Sequence, residues 1–162
     1  MKYLAAVALL TLFGCSEEPR SDPAADAEAV AKAERMSAPP RIMLDPQPIT
    51  FADIEENDLF GAGCSAIVEG ADDPVFYGQD KKGWIKLEGQ IVELTADKSS
   101  PELPYMAWEK YIGLENWLTI KREGGSETQT GEEVTSAPGQ IVIHDYKDRV
   151  VFRSAASIEC GA

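Results

Sequence analysis

The chain has 162 residues and a mass of 17.6 kDa, room for one domain and a tail. It carries 28 Asp and Glu against 15 Lys and Arg, a net charge of −13, which excludes the basic footprint of a nucleic-acid binder. One His and three Cys exclude a His-rich or Cys-rich metal site and a dense disulfide scaffold.

The N-terminus reads as an address. Lys2 precedes an apolar run from Leu4 to Phe13. A helix across a bilayer needs about 20 such residues, so this run is too short to span and fits the apolar core of a secretory signal. The sequence Leu12-Phe13-Gly14-Cys15 resembles the lipobox of bacterial lipoproteins. That resemblance implies cleavage after Gly14 and acylation of Cys15. Ser16, rather than Asp, follows the cysteine, which by the same resemblance implies sorting to the outer membrane. The expectation is a protein held on the outer membrane by lipid at Cys15 and facing the periplasm. More than one acyl chain makes such an anchor stable, at about 0.8 kcal/mol per buried CH₂.

Residues 16–48 contain Pro19, Pro23, Pro39, Pro40, Pro46 and Pro48, and sustain no apolar periodicity. They read as a disordered tether, spanning roughly 30 Å as a coil. Ala24–Met36 is rich enough in Ala, Glu, Lys and Arg to favour a short helix. The expected organisation is a signal over 1–14, a lipidated cysteine and tether over 15–48, and a β domain over 49–162.

The β domain opens with Thr50 and Asp53 at capping-box spacing, which predicts one short helix from Phe51 to Asp58. Gly61–Val68 reads as a strand of small residues with Cys64, Ala66 and Val68 on one face. Val75–Gln79 reads as a second strand. Trp84–Leu94 is the clearest element: Glu88-Gly89 sits between two alternating runs, pairing Leu87 with Gln90 and Ile85 with Val92. One face then carries Ile85, Leu87, Val92 and Leu94. The other, with Trp84, Lys86, Ile91 and Glu93, is expected to be largely wet. Ser99–Gly113 reads as a long connection, Asn116–Arg122 as a strand and Glu123–Gly131 as a loop. Glu132–Ser136 can pair back, with Pro138-Gly139 as a turn. Gln140–Asp145 and Arg149–Glu159 form a last hairpin, with Val150, Phe152, Ile158 and Cys160 on the core side. The predicted fold is mainly β: a small antiparallel barrel or sandwich of about eight strands with one short N-terminal helix.

With Cys15 lipidated, Cys64 and Cys160 remain. Both lie in a compartment that oxidises thiols, so a disulfide is expected, and it makes the first and last strands neighbours.

Candidate chemistry is sparse. His144 alternates with Ile141 and Ile143 along a strand, and Asp145 points to the opposite face, so a solvent-facing histidine is the expectation. No nucleophile elbow, phosphate loop or zinc-helix motif occurs in the sequence. Acidic pairs at Glu55-Glu56, Asp72-Asp73 and Glu132-Glu133 lack a calcium-loop or glycosidase pattern and read as solubilising charge. Tyr105, Trp108, Tyr111 and Trp117 have two readings. They line a groove for a sugar or peptide, or their segment lids a barrel end. No cofactor and no metal is expected.

The run DIEENDLFGAGCS and the terminal IECGA are similar to a group of small bacterial lipoproteins, a resemblance that implies no activity. A more distant resemblance, carried by Cys15, Cys64 and Cys160, is to membrane-bound inhibitors of c-type lysozyme, which are small β-barrel lipoproteins. The expected function is a non-enzymatic binding module for an envelope protein or glycan. The alternatives are a lysozyme-type inhibitor and an enzyme with an unrecognised site.

Overall fold

A computed structural model describes residues 22–37 and 39–162, and the chain divides into two compact units with the break after Pro40. The signal segment and the lipidation residue Cys15 lie outside the described residues. In the first unit, α1 (Pro23–Ser37) begins with proline at its first position, where no N–H is needed, and Asp22 Oδ1 accepts from Ala24 N–H at 3.0 Å. None of its residues is buried.

The second unit is a closed antiparallel barrel. Its elements are α2 (Phe51–Asn57), β1 (Gly63–Val68), β2 (Phe76–Gly78), β3 (Lys82–Leu87), β4 (Gln90–Ala96), β5 (Lys110–Ile112), β6 (Asn116–Arg122), β7 (Thr128–Gln129), β8 (Thr135–Asp145) and β9 (Val150–Gly161). Eight strands run β1-β2-β3-β4-β5-β6-β8-β9 as neighbours, and β9 returns to pair with β1. β7 adds a short ninth strand beside the start of β8. Closure leaves the eight wall strands without a free edge along most of their length.

Local sequence explains the hairpins. At the β3–β4 turn Glu88 has φ 50° and Gly89 φ 78°, the pair of left-handed residues that a two-residue turn of this hand demands. Leu87 then faces Gln90, and Ile85 faces Val92. Phe76, Ile85, Leu94, Tyr111, Leu118, Ile120, Ile141, Ile143 and Ile158 fill the lumen and are almost wholly buried. Two glycines make room for the largest rings. A Cβ at Gly78 would stand 2.6 Å from Tyr111 Oη, and one at Gly83 would stand 2.8 Å from both the Phe76 and Tyr111 rings. Those rings meet edge to face at 5.0 Å.

Each barrel mouth is closed by chain. At the mouth carrying the β1–β2, β3–β4, β5–β6 and β8–β9 turns, residues 41–49 cross from β9 to β2. Leu44 N–H donates to Val151 O at 2.9 Å, Gln47 N–H to Lys86 O at 2.9 Å and Ile49 N–H to Pro74 O at 2.7 Å. Leu44 packs on the core and Ile49 is fully buried. Thus residues 41–48, grouped with the tether by their prolines, pack as part of the barrel unit. At the opposite mouth residues 97–109 cross from β4, with Leu103 and Ala107 buried.

Four local readings differ from the observed fold. Pro138-Gly139 lies inside β8 and makes no turn. Pro138 O accepts from Glu123 N–H at 2.7 Å just past Arg122, where β6 pairing ends, so the reciprocal bond that proline cannot donate falls beyond the last ladder pair. A bulge between Ile143 and His144 shifts the phase of β9, so Val151 takes the buried position that parity gave to Val150. The short strands β5 and β7 emerge within stretches that read as loops. Finally, Trp84 on the outer face is buried with Ile49 and Leu59, because α2 lies over it.

Candidate functional site

The four aromatic residues singled out from the sequence do not converge on one groove. Tyr111 points into the lumen and is fully buried. Its hydroxyl accepts from Trp108 N–H at 3.0 Å and donates to Gln79 O at 3.0 Å, which ties the 97–109 crossing to the β2–β3 turn. Burial pushes the Tyr111 phenol up to about 12. Trp108 is half-buried against the core, and its Nε1–H donates to Asp80 O at 3.1 Å, with the Lys98 ammonium 5.6 Å above the ring. Tyr105 packs on the same core from a left-handed turn, φ 55°. These three rings close the mouth.

Trp117 lies on the outer wall, apart from them. It stacks on His144 from β8 with ring centroids 3.8 Å apart and planes 5° from parallel. From β5 the Lys110 ammonium stands 4.8 Å from the Trp117 ring. Its Nε1–H donates to Asp148 Oδ1 at 3.0 Å, and His144 Nδ1 lies 3.1 Å from Asp148 O. Asp145 turns inward and is buried. Its carboxylate accepts from Lys147 N–H at 2.9 Å, Arg149 N–H at 3.0 Å and Arg149 Nε–H at 2.7 Å, holding the β8–β9 turn. His144 and its sequence neighbour therefore serve different partners on opposite faces of the wall. Among the described residues no cluster of three His, Cys, Asp or Glu side chains is placed to hold a metal ion. The paired carboxylates at 55–56, 72–73 and 132–133 are all exposed.

Cys64 and Cys160 face each other across the β1–β9 seam and are bonded, with Cα atoms 4.1 Å apart. Both side chains are buried.

A surface that the sequence reading missed lies on the outside of that seam. Ser65 is directly opposite Tyr77 on one side and Glu159 on the other, so the three form a row across β2, β1 and β9. With Gly61, Gly63, Gln79 and Val134 they line an open pocket of about 280 Å³. Burial, then the carboxylates of Asp73 and Glu159, push the Tyr77 phenol above its usual range. The rim is built by the segment after α2. Leu59 is buried, and the Gln79 carboxamide nitrogen donates to Leu59 O and Phe60 O, both at 3.1 Å. Phe60 is thereby held outward, 56% exposed, edge-on to Phe51, itself 64% exposed, at 6.4 Å. The available sequence signal was the pair of phenylalanines bracketing the acidic run DIEEND, which has no reason to expose rings if only packing matters.

The helix carrying Phe51 is fastened by charge. The Thr50–Asp53 capping box is complete, and Lys86 Nζ sits 2.8 Å from both Asp53 carboxylate oxygens. The Lys86 bond, then those from Thr50, bring the Asp53 carboxyl down from 3.8 to about 2. A lowered carboxyl contributes stability above its unfolded value, and that contribution is lost as pH falls from about 4 toward about 2. Acidification through that window is expected to loosen α2 over Trp84. It should shift Trp84 emission to longer wavelength before the barrel unfolds, with the two other tryptophans replaced by phenylalanine. Lys86→Met should remove most of that pH dependence, and an unchanged acid profile in Lys86→Met would contradict the assignment.

Comparison with known families, curated proteins and solved structures yields no match.

Proposed function

We propose that the protein is a lipid-anchored envelope lipoprotein whose barrel is a non-enzymatic binding module for an envelope protein or glycan. One observation carries the reading: the Cys64–Cys160 disulfide, buried across the seam of a closed barrel. Such a bond belongs to a chain that folds in an oxidising compartment. Met1–Cys15 supplies the matching export and acylation signal. Further support comes from the lumen. It is filled by side chains and covered at both mouths, so a ligand meets the outer wall and its loops.

The experiment has two arms. Metabolic labelling with a palmitate analogue should tag the full chain and lose the tag completely in Cys15→Ala, which should also leave the membrane fraction. The oxidised protein, immobilised, should retain a defined envelope protein or peptidoglycan fragment at both low and moderate salt. An untagged wild type removes the anchor, and retention of nothing at either salt removes the binding role.

A further inference from the structure

We infer that the outer face formed by Phe51, Phe60 and the Tyr77–Ser65–Glu159 row docks a basic protein segment. The inference rests on the binding-module reading above and gives it a surface and a partner chemistry.

The first argument is the presentation of the rings. Phe60 does not hang from a loose loop. Buried Leu59 precedes it, Leu59 N–H donates to Ile54 O at 3.0 Å, and the Gln79 amide grips two successive carbonyls. Asp58 takes a left-handed conformation, φ 52°, to turn the chain out of α2. An aromatic pair fixed in water by this much structure is pre-ordered for contact, and pre-ordered aromatics are the usual anchors of protein interfaces.

The second argument is charge. Glu55, Glu56 and Asp58 belong to α2 or its end, and Glu159 and Asp73 border Tyr77. None of these five carboxylates forms an ion pair among the described residues. The nearby lysines are already committed, Lys86 to Asp53 and Lys82 to Glu93, each at 2.8 Å. The face therefore couples an apolar anchor to uncompensated negative charge, and the complement is an apolar contact flanked by Lys or Arg. The pocket suits one such side chain. Its aliphatic stem would lie along Tyr77 and its charged head would meet the Glu159 carboxylate and the Ser65 hydroxyl. The barrel unit also exposes Ile42 with Met43, Met106, Tyr146, and Leu114 with Ile112; Leu114, at the β5–β6 turn, lacks this construction and serves as the control.

The test places a photoreactive p-benzoylphenylalanine at position 51 of the full chain, in the cells that make it. The expected product is a cross-link to a protein segment rich in Lys and Arg. Phe60→Ala and Glu159→Gln should each lower its yield about tenfold, the loss of one interface hot spot. Raising salt from about 0.1 M to about 1 M, which shortens the screening length from about 10 to about 3 Å, should lower it as well. Leu114→Ser should leave it unchanged. The inference is overturned by a cross-link to an acidic or neutral segment or to glycan, by a yield indifferent to Phe60→Ala and Glu159→Gln, or by no cross-link. The same probe at position 114 separates the two readings. Cross-linking there alone overturns the face assignment and keeps the binding module, and silence at both positions overturns both.

Discussion

Replacing Cys64 and Cys160 together by alanine is expected to lower the unfolding free energy by roughly 4–5 kcal/mol, the chain-entropy value for a loop of this length. The bond joins residues 96 apart in sequence, and the pairing it spans is the one that closes the barrel. Without it, β1 and β9 are held by their ladder hydrogen bonds and by the packing of Ala66 and Val68 with Ala156 and Ile158, while the unfolded chain regains the freedom of nearly the whole domain. Urea titration at pH 7 of the oxidised protein, the reduced protein and the double variant measures this. The reduced and variant midpoints should nearly coincide, well below that of the oxidised protein. A loss under about 1 kcal/mol would mean that the ladder alone holds the seam, against the loop-closure argument.

Tyr111 should give the second large effect. Tyr111→Ala is expected to cost about 3–5 kcal/mol, the usual range for truncating a large aromatic in a packed core. Tyr111→Phe keeps the ring against Phe76 but leaves Trp108 N–H without an acceptor and Gln79 O without a donor, for about 1–3 kcal/mol. The phenol adds a pH signature. Its folded value is about 12 against 10.0 unfolded. A raised value gives stability that is complete below pH 10 and is lost as pH rises toward 12. Tyr111→Phe should flatten that alkaline loss. Denaturation of wild type and variant at pH 8 and pH 11 separates this from a ligand-site role for Tyr111, in which both variants would keep wild-type stability.

The sequence was most legible where one short-range rule decides the structure. Glu88-Gly89 between alternating runs sets the β3–β4 register, and Thr50 with Asp53 sets the start of α2. The disulfide followed from counting cysteines. Legibility failed where a distant partner decides. Whether Pro138 turns the chain or sits in a strand depends on where β6 stops pairing. Whether Trp84 is wet depends on α2 returning over it. The aromatic segment reads as one group along the chain, but the barrel separates it, sending Tyr111 inward and Trp117 out to His144. For the same reason the Phe51–Phe60 face shows in the sequence only as two phenylalanines around an acidic run. Its pocket draws residues from β1, β2 and β9, which are brought together only by closure.

The crossing by residues 41–49 gives the barrel a mechanical fuse. Any pull arriving along the chain from its N-terminal side is borne first by Arg41 Nη1 on Val150 O, at 3.3 Å, and by the Leu44 and Gln47 backbone bonds. These bonds stand in series with the wall strands and do not belong to the ladder, so they part before the sheet is loaded. A tug would uncover the mouth over Leu44 while leaving the seam, with its covalent bond, intact. A protease cut has a sharp positional dependence for the same reason. Cleavage ahead of Arg41 frees a complete barrel, whereas cleavage between Leu44 and Ile49 removes a plug.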